Sequence, residues 1–251
     1  MDSLNYELIK PDKCLADFVE SYWQLHNKAD DNKEITLLPD GKIDMIFTKS
    51  SAEEFQIILL GLTTLPDKVV LPANTMMFAI SFKLLATEYI LQTPVAGLLD
   101  NAKILPAGFW GFHPDDLSDF NEFCHKAYQI ISSLLPAGGA DTRKLELFNL
   151  LYGSEGAVTV NELSEKVFWS ARQMNRYFNQ EYGISLKTYC NILRFRASFR
   201  HIKDGKLYPQ QNFSDQSHFI KEVKKLSGAL PKQLKQNKDG RFIQFSTLGR
   251  S

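Results

Sequence analysis

The chain of 251 residues is 44% hydrophobic and formally neutral, enough for two domains of ordinary size. It has no run of about 20 apolar residues, which excludes a membrane-spanning helix, and Met1-Asp2-Ser3-Leu4-Asn5 lacks the basic-then-apolar order of a secretion signal. Neutrality hides a division: residues 1–150 hold 12 Lys and Arg against 21 Asp and Glu, whereas 151–251 hold 17 against 8. A basic half behind an acidic one suits phosphate contact by the second half; mutual attraction between the halves is the other reading. Cys14, Cys124 and Cys190 are far apart and odd in number, as expected of reduced thiols in a cytoplasmic protein.

In chain order, residues 15–23 form a short helix or the entry to a strand, with Phe18, Tyr22 and Trp23 packing inward. Residues 43–47 and 76–82 alternate with period two, and Met76, Phe78, Ile80 and Phe82 share a face. Residues 55–60 and 69–71 are apolar runs of strand length. Pro39-Asp40-Gly41, Gly61 and Pro72 punctuate them as turns. Short strands at this spacing predict a small antiparallel barrel or sandwich over residues 1–113. Trp23, Phe47, Phe78 and Phe82 are candidates for lining a small-molecule pocket there, or form plain core.

Residues 114–135 carry an apolar stripe at three- and four-residue steps and predict a helix that packs on the barrel or pairs with a second subunit. Pro136-Ala137-Gly138-Gly139-Ala140 is a linker, and Asp141 caps the next helix. Thr159 and Glu162 have capping-box spacing. Ser170 caps a helix whose Met174, Tyr177 and Phe178 turn inward, leaving Arg172, Gln173, Asn175 and Arg176 outward. Arg can pair with guanine and Asn or Gln with adenine in two-bond geometry. Helix, turn, polar-faced helix is the helix-turn-helix order.

A long helix over 186–202 follows, with Arg194, Arg196 and Arg200 as phosphate contacts or solvated charges. Ser214 or Asp215 then caps another helix, with Phe219, Val223 and Leu226 on its apolar stripe. Gln216, Ser217, His218, Lys221 and Lys224 are its candidate DNA contacts. Gly228 and Pro231 end it. Between Ile202 and Phe213, Gly205 and Pro209 leave room for at most one helical turn, so Leu207 and Tyr208 are the expected brace.

The stretch Phe213-Ser214-Asp215-Gln216-Ser217-His218-Phe219, with Gly228 and Pro231 after it, closely resembles the terminal signature of the AraC/XylS family of bacterial transcription regulators. Ser170-Ala171-Arg172-Gln173-Met174 resembles that family's first recognition helix. Leu186 stands where the family usually has Pro, and the second unit lacks its supporting helix. The first half is similar, more weakly, to the cupin-like sensor domain of some relatives, through Val19-Glu20-Ser21-Tyr22-Trp23, Leu38-Pro39-Asp40-Gly41 and the strand 79–83. Leu84-Leu85 replaces the usual Pro-Gly.

The resemblance implies an α+β chain: a cupin-like antiparallel β-barrel (1–113), a connecting helix and linker (114–140), and an all-α domain with two helix-turn-helix units (141–251). Its partners would be double-stranded DNA, a small-molecule effector, a second copy of the chain and RNA polymerase. No cofactor or metal is expected: His26, His113, His125, His201 and His218 stand singly, and no nucleophile elbow or phosphate-binding Gly-rich loop argues for an enzyme. The alternative is a regulator-derived protein-interaction module that has lost sequence-specific DNA binding.

Overall fold

The computed structural model describes residues 4–50, 54–209, 213 and 215–248. The strands are β1 (Leu4–Ile9), β2 (Val19–Asn27), β3 (Lys33–Leu37), β4 (Ile43–Lys49), β5 (Gln56–Leu60), β6 (Asp67–Leu71), β7 (Thr75–Phe82) and β8 (Ala102–Ile104), with a short helix α1 (Ala86–Tyr89) before the last. They form a six-stranded antiparallel sheet in the order β1-β2-β7-β4-β5-β8 and a separate antiparallel pair, β3 with β6. Among the described residues no ladder joins the two, so the barrel is open.

Strand parity decides what each face of the large sheet does. Met45, Phe47, Phe78, Ile80 and Phe82 lie on one face and are buried. Helix α2 (Phe120–Leu134) packs there, capped by Asp119, whose carboxylate accepts from the backbone N–H of Asn121 at 2.8 Å and of Glu122 at 3.1 Å. Phe78 meets Phe120 with centroids 5.2 Å apart, and Phe47 meets Phe112 at 4.5 Å and Phe123 at 5.0 Å. The helix therefore takes the barrel-packing option. Trp23, Asp44, Ile46, Met77 and Ser81 occupy the opposite face, which looks toward β3 and β6.

The rest is helical: α3 (Thr142–Gly153), α4 (Val160–Val167), α5 (Ala171–Tyr182), α6 (Leu186–Lys203), α7 (Gln216–Ser227), α8 (Pro231–Gln236) and α9 (Ile243–Thr247). Local chemistry sets their limits. Asp141 caps α3, and reciprocal capping boxes open α4 at Thr159 with Glu162 and α5 at Ser170 with Gln173. Asp215 caps α7 by accepting from the His218 N–H at 2.8 Å, while Ser214, the other candidate cap, lies outside the described residues. Helices α4 and α5 make one helix-turn-helix; α6, α7 and α8 build the second around Phe219, Val223 and Leu226. No helix occupies the described part of 204–213. Leu207 packs on the core there, but Tyr208 is 53% exposed and braces nothing, correcting half of the expected support. Phe213 takes that place, its ring 5.1 Å from that of Phe219.

The two halves share one core. The Tyr189 hydroxyl of α6 donates to the Gly41 carbonyl at 3.0 Å. Gly41 holds φ +76°, and a Cβ there would lie 3.2 Å from both Tyr189 and Leu193, so the turn needs glycine for conformation and for close approach. Beyond α8 the chain returns to the sheets. The Thr36 N–H donates to the Arg241 carbonyl at 2.6 Å, and the Gln244 amide exchanges two hydrogen bonds with the backbone of Leu38, at 2.9 and 3.2 Å. Among the described residues no helix is long and apolar enough to cross a membrane.

Candidate functional site

Two features qualify. The first is the outward surface of the helix-turn-helix units. Arg172, Gln173 and Arg176 are exposed on α5, and Gln216, Ser217, Lys221 and Lys224 on α7. Gln173 is partly committed, its side-chain oxygen accepting from the Ser170 N–H at 2.8 Å. His218 is half-buried, its ring 5.8 Å from that of Phe213.

Asn175 departs from expectation. Its amide donates to the Ala171 carbonyl at 3.0 Å and accepts from the Leu186 N–H at 3.3 Å, so it fastens α5 to the start of α6. A residue next to the buried Met174 lies at the margin of the outward face and reaches back into the fold. Arg196 departs too: it binds Glu20 rather than standing ready for phosphate. Phe168, between α4 and α5, has φ 54° and an 85% exposed ring, which nothing in the sequence pattern announced.

The second feature is a cavity of about 880 Å³ inside the open barrel. Its walls are the Trp23 face of the large sheet and the β3–β6 pair, and α6 and α9 roof it. Of the four candidate pocket residues, Trp23 lines it. Phe47, Phe78 and Phe82 do not: they sit on the other face of the same sheet, in the aromatic core with α2. Trp23 differs from them by strand parity alone.

Residues missed by the sequence reading give the lumen its chemistry. Glu20, at the α6 end, meets Arg196 at 2.6 Å and Lys10 at 3.2 Å. Burial would push its carboxyl up, but Arg196, Lys42 and Lys10 outweigh this and hold it at about 2. Asp44 lies deeper, where burial and the neighbouring Asp40 push its carboxyl up to about 6, against Lys42 and hydrogen bonds from Ser81 and Trp23. Lys42 pairs with Asp40 at 3.3 Å. Burial lowers the pKa of Lys83, against Glu20 and Asp17, and its ammonium lies 5.1 Å from the Tyr152 ring centre.

Residues 7–103 match a family described as a domain of unknown function, DUF6597. No protein of curated function matches the chain. Among solved structures it is similar to ToxT from Vibrio cholerae. For ToxT of strain O395 the TM-score is 0.44 at 12% identity, covering 96% of this chain and 100% of that one. For wild-type ToxT of strain SCE256 bound to an unsaturated fatty acid the TM-score is 0.42 at 13% identity, covering 95% and 96%.

Proposed function

We propose that the chain is a sequence-specific DNA-binding transcription regulator of the AraC type. Residues 141–251 would read DNA, and residues 1–113, joined through 114–140, would sense a small-molecule effector or mediate assembly. The carrying observation is that α5 and α7, each a capped helix of a helix-turn-helix unit, leave Arg172, Arg176, Gln216, Ser217, Lys221 and Lys224 exposed in the basic half of the chain. Guanidinium and amide groups on such helices suit base edges, and lysines suit phosphate. The signature around Asp215 and Ser170 supports the same reading. The roof supplies a route for effector control: Arg196 and Leu193 line the lumen from α6, the helix that joins the two units.

The test is selection of duplexes from a random pool by the full chain, followed by affinity measurement on selected and scrambled sequences over a salt series. A regulator binds the selected duplex at least about 10³-fold more tightly. Equal affinity for both would overturn the reading. It would then favour the protein-interaction module, for which the lack of a helix in the described part of 204–213 speaks.

A further inference from the structure

The wall of the lumen carries one polar row. Ser21 of β2 pairs in register with Ser81 of β7, and Ser81 pairs with Asp44 of β4, so the three side chains stand abreast across three strands on the face that lines the cavity. Trp23, Leu25, Ile46, Ile58, Leu60 and Met77 supply apolar lining, in a lumen that Glu20, Lys42, Lys83, Arg196 and Arg200 also line.

The row is not internally satisfied. One Asp44 oxygen accepts from the Ser81 hydroxyl and from the Trp23 indole N–H at 3.5 Å, while its second oxygen accepts no hydrogen bond among the described residues. The Ser21 hydroxyl, on a residue 0% exposed, has no partner. A buried hydroxyl left without a partner costs stability unless something completes it, and the second Asp44 oxygen beside it is free to accept. Lys42 favours the charged form of Asp44 but makes its ion pair with Asp40.

What completes Asp44 must donate, and a positive charge does so best. Of the cations in the lining, Lys10 and Arg196 are committed to Glu20 and Lys42 to Asp40, while Lys83 lies over the Tyr152 ring and Arg200 comes from α6. The stacked pair Tyr6 and Trp23, with centroids 6.4 Å apart, adds an aromatic surface beside the row, which favours a cation further. We propose that the lumen binds an amphipathic amine, its protonated amino group on Asp44 and Ser21 and its apolar body along Trp23, Ile46, Ile58 and Leu60. This rests on the reading of the lumen as an effector site and names the chemical class of that effector.

Calorimetric titration of the full chain with decylamine, decanol and decanoate, identical but for the head group, tests it. Decylamine should bind at least about tenfold more tightly than either other probe, and Asp44→Asn should remove that preference while leaving decanol unchanged. Leu60→Trp, which fills the lumen, should abolish binding of all three. Equal or tighter binding of decanoate, or a decylamine affinity indifferent to Asp44→Asn, overturns the amine proposal while leaving the lumen as the site. Failure of all three probes to bind, or binding indifferent to Leu60→Trp, overturns both the amine and the effector-site reading.

Discussion

Arg196 on α6 places its guanidinium 2.6 Å from the Glu20 carboxylate on β2, so an ion pair spans the boundary between the sheets and the helical half. Both side chains are mostly buried, and Lys10 adds a second cation at 3.2 Å. The Glu20 carboxyl lies below its ordinary 4.5, at about 2. A depressed carboxyl contributes stability that is complete above the unfolded value and is lost as pH falls through the folded one. Urea midpoints should therefore be insensitive to Glu20 above pH 5 and fall between pH 4.5 and 2. Arg196→Met should cost about 2 kcal/mol at pH 7 and shrink that acid limb, with Lys42 and Lys10 keeping the remainder. A midpoint unchanged by Arg196→Met would show the pair to be energetically idle.

Asp44 should behave in the opposite sense. Its carboxyl is raised from 3.8 to about 6, so the folded state holds the proton more tightly than the unfolded one, and stability should fall as pH rises from 4 to 6. Asp44→Asn should raise stability at pH 7 by about 2–3 kcal/mol and remove that decline. Thermal melts at pH 4, 6 and 7.5 check this; a wild-type Tm that rises over the interval by more than that of Asp44→Asn contradicts it.

On DNA, Arg176→Ala should weaken binding to a selected duplex by about 1–3 kcal/mol and barely alter binding to random sequence. Asn175→Ala should do something else. Its amide bonds run to Ala171 and Leu186, so the loss should appear as about 1 kcal/mol of folding stability with the sequence preference intact. Melting curves and competition binding on the same two variants separate the roles.

Lys221 on α7 is exposed and far along the helix from its capped end. Lys221→Ala should lower affinity almost evenly across sequences and reduce the slope of log K against log salt by about one. Gln216→Ala should cost less specificity than Arg176→Ala, because Phe213 and Leu207, not a packed helix, brace the second unit.

The helical half was legible in the sequence because its signals are local. Caps at Asp141, Thr159, Ser170 and Asp215 and stops at Gly183 and Gly228 each act within a few residues. The strands β4 and β7 showed themselves by apolar alternation, and β5 as an apolar run of strand length. The edge strands did not: β8 is exposed along its whole length, and β1 is half-exposed, so neither displays a clean buried face. The Ser21–Ser81–Asp44 row is invisible in one dimension, since it depends on the register of three strands distant in sequence. Phe47, Phe78 and Phe82 were left between pocket and core by the sequence, and parity, which puts Asp44 and Ile46 in the lumen, puts them in the core.

Leu38 and Gln244 are joined across 206 residues, which sets an order of events during synthesis. The two sheets emerge from the ribosome first, yet α9, part of their roof, is the last described helix to be made. At about 5–20 residues per second, the segment between β7 and α9 takes roughly ten to thirty seconds to appear. Throughout that interval the part of the roof that α9 supplies is absent, so an effector of the proposed kind would meet the wall without passing it. A purified chain supplied with ligand afterwards should load more slowly than a nascent one.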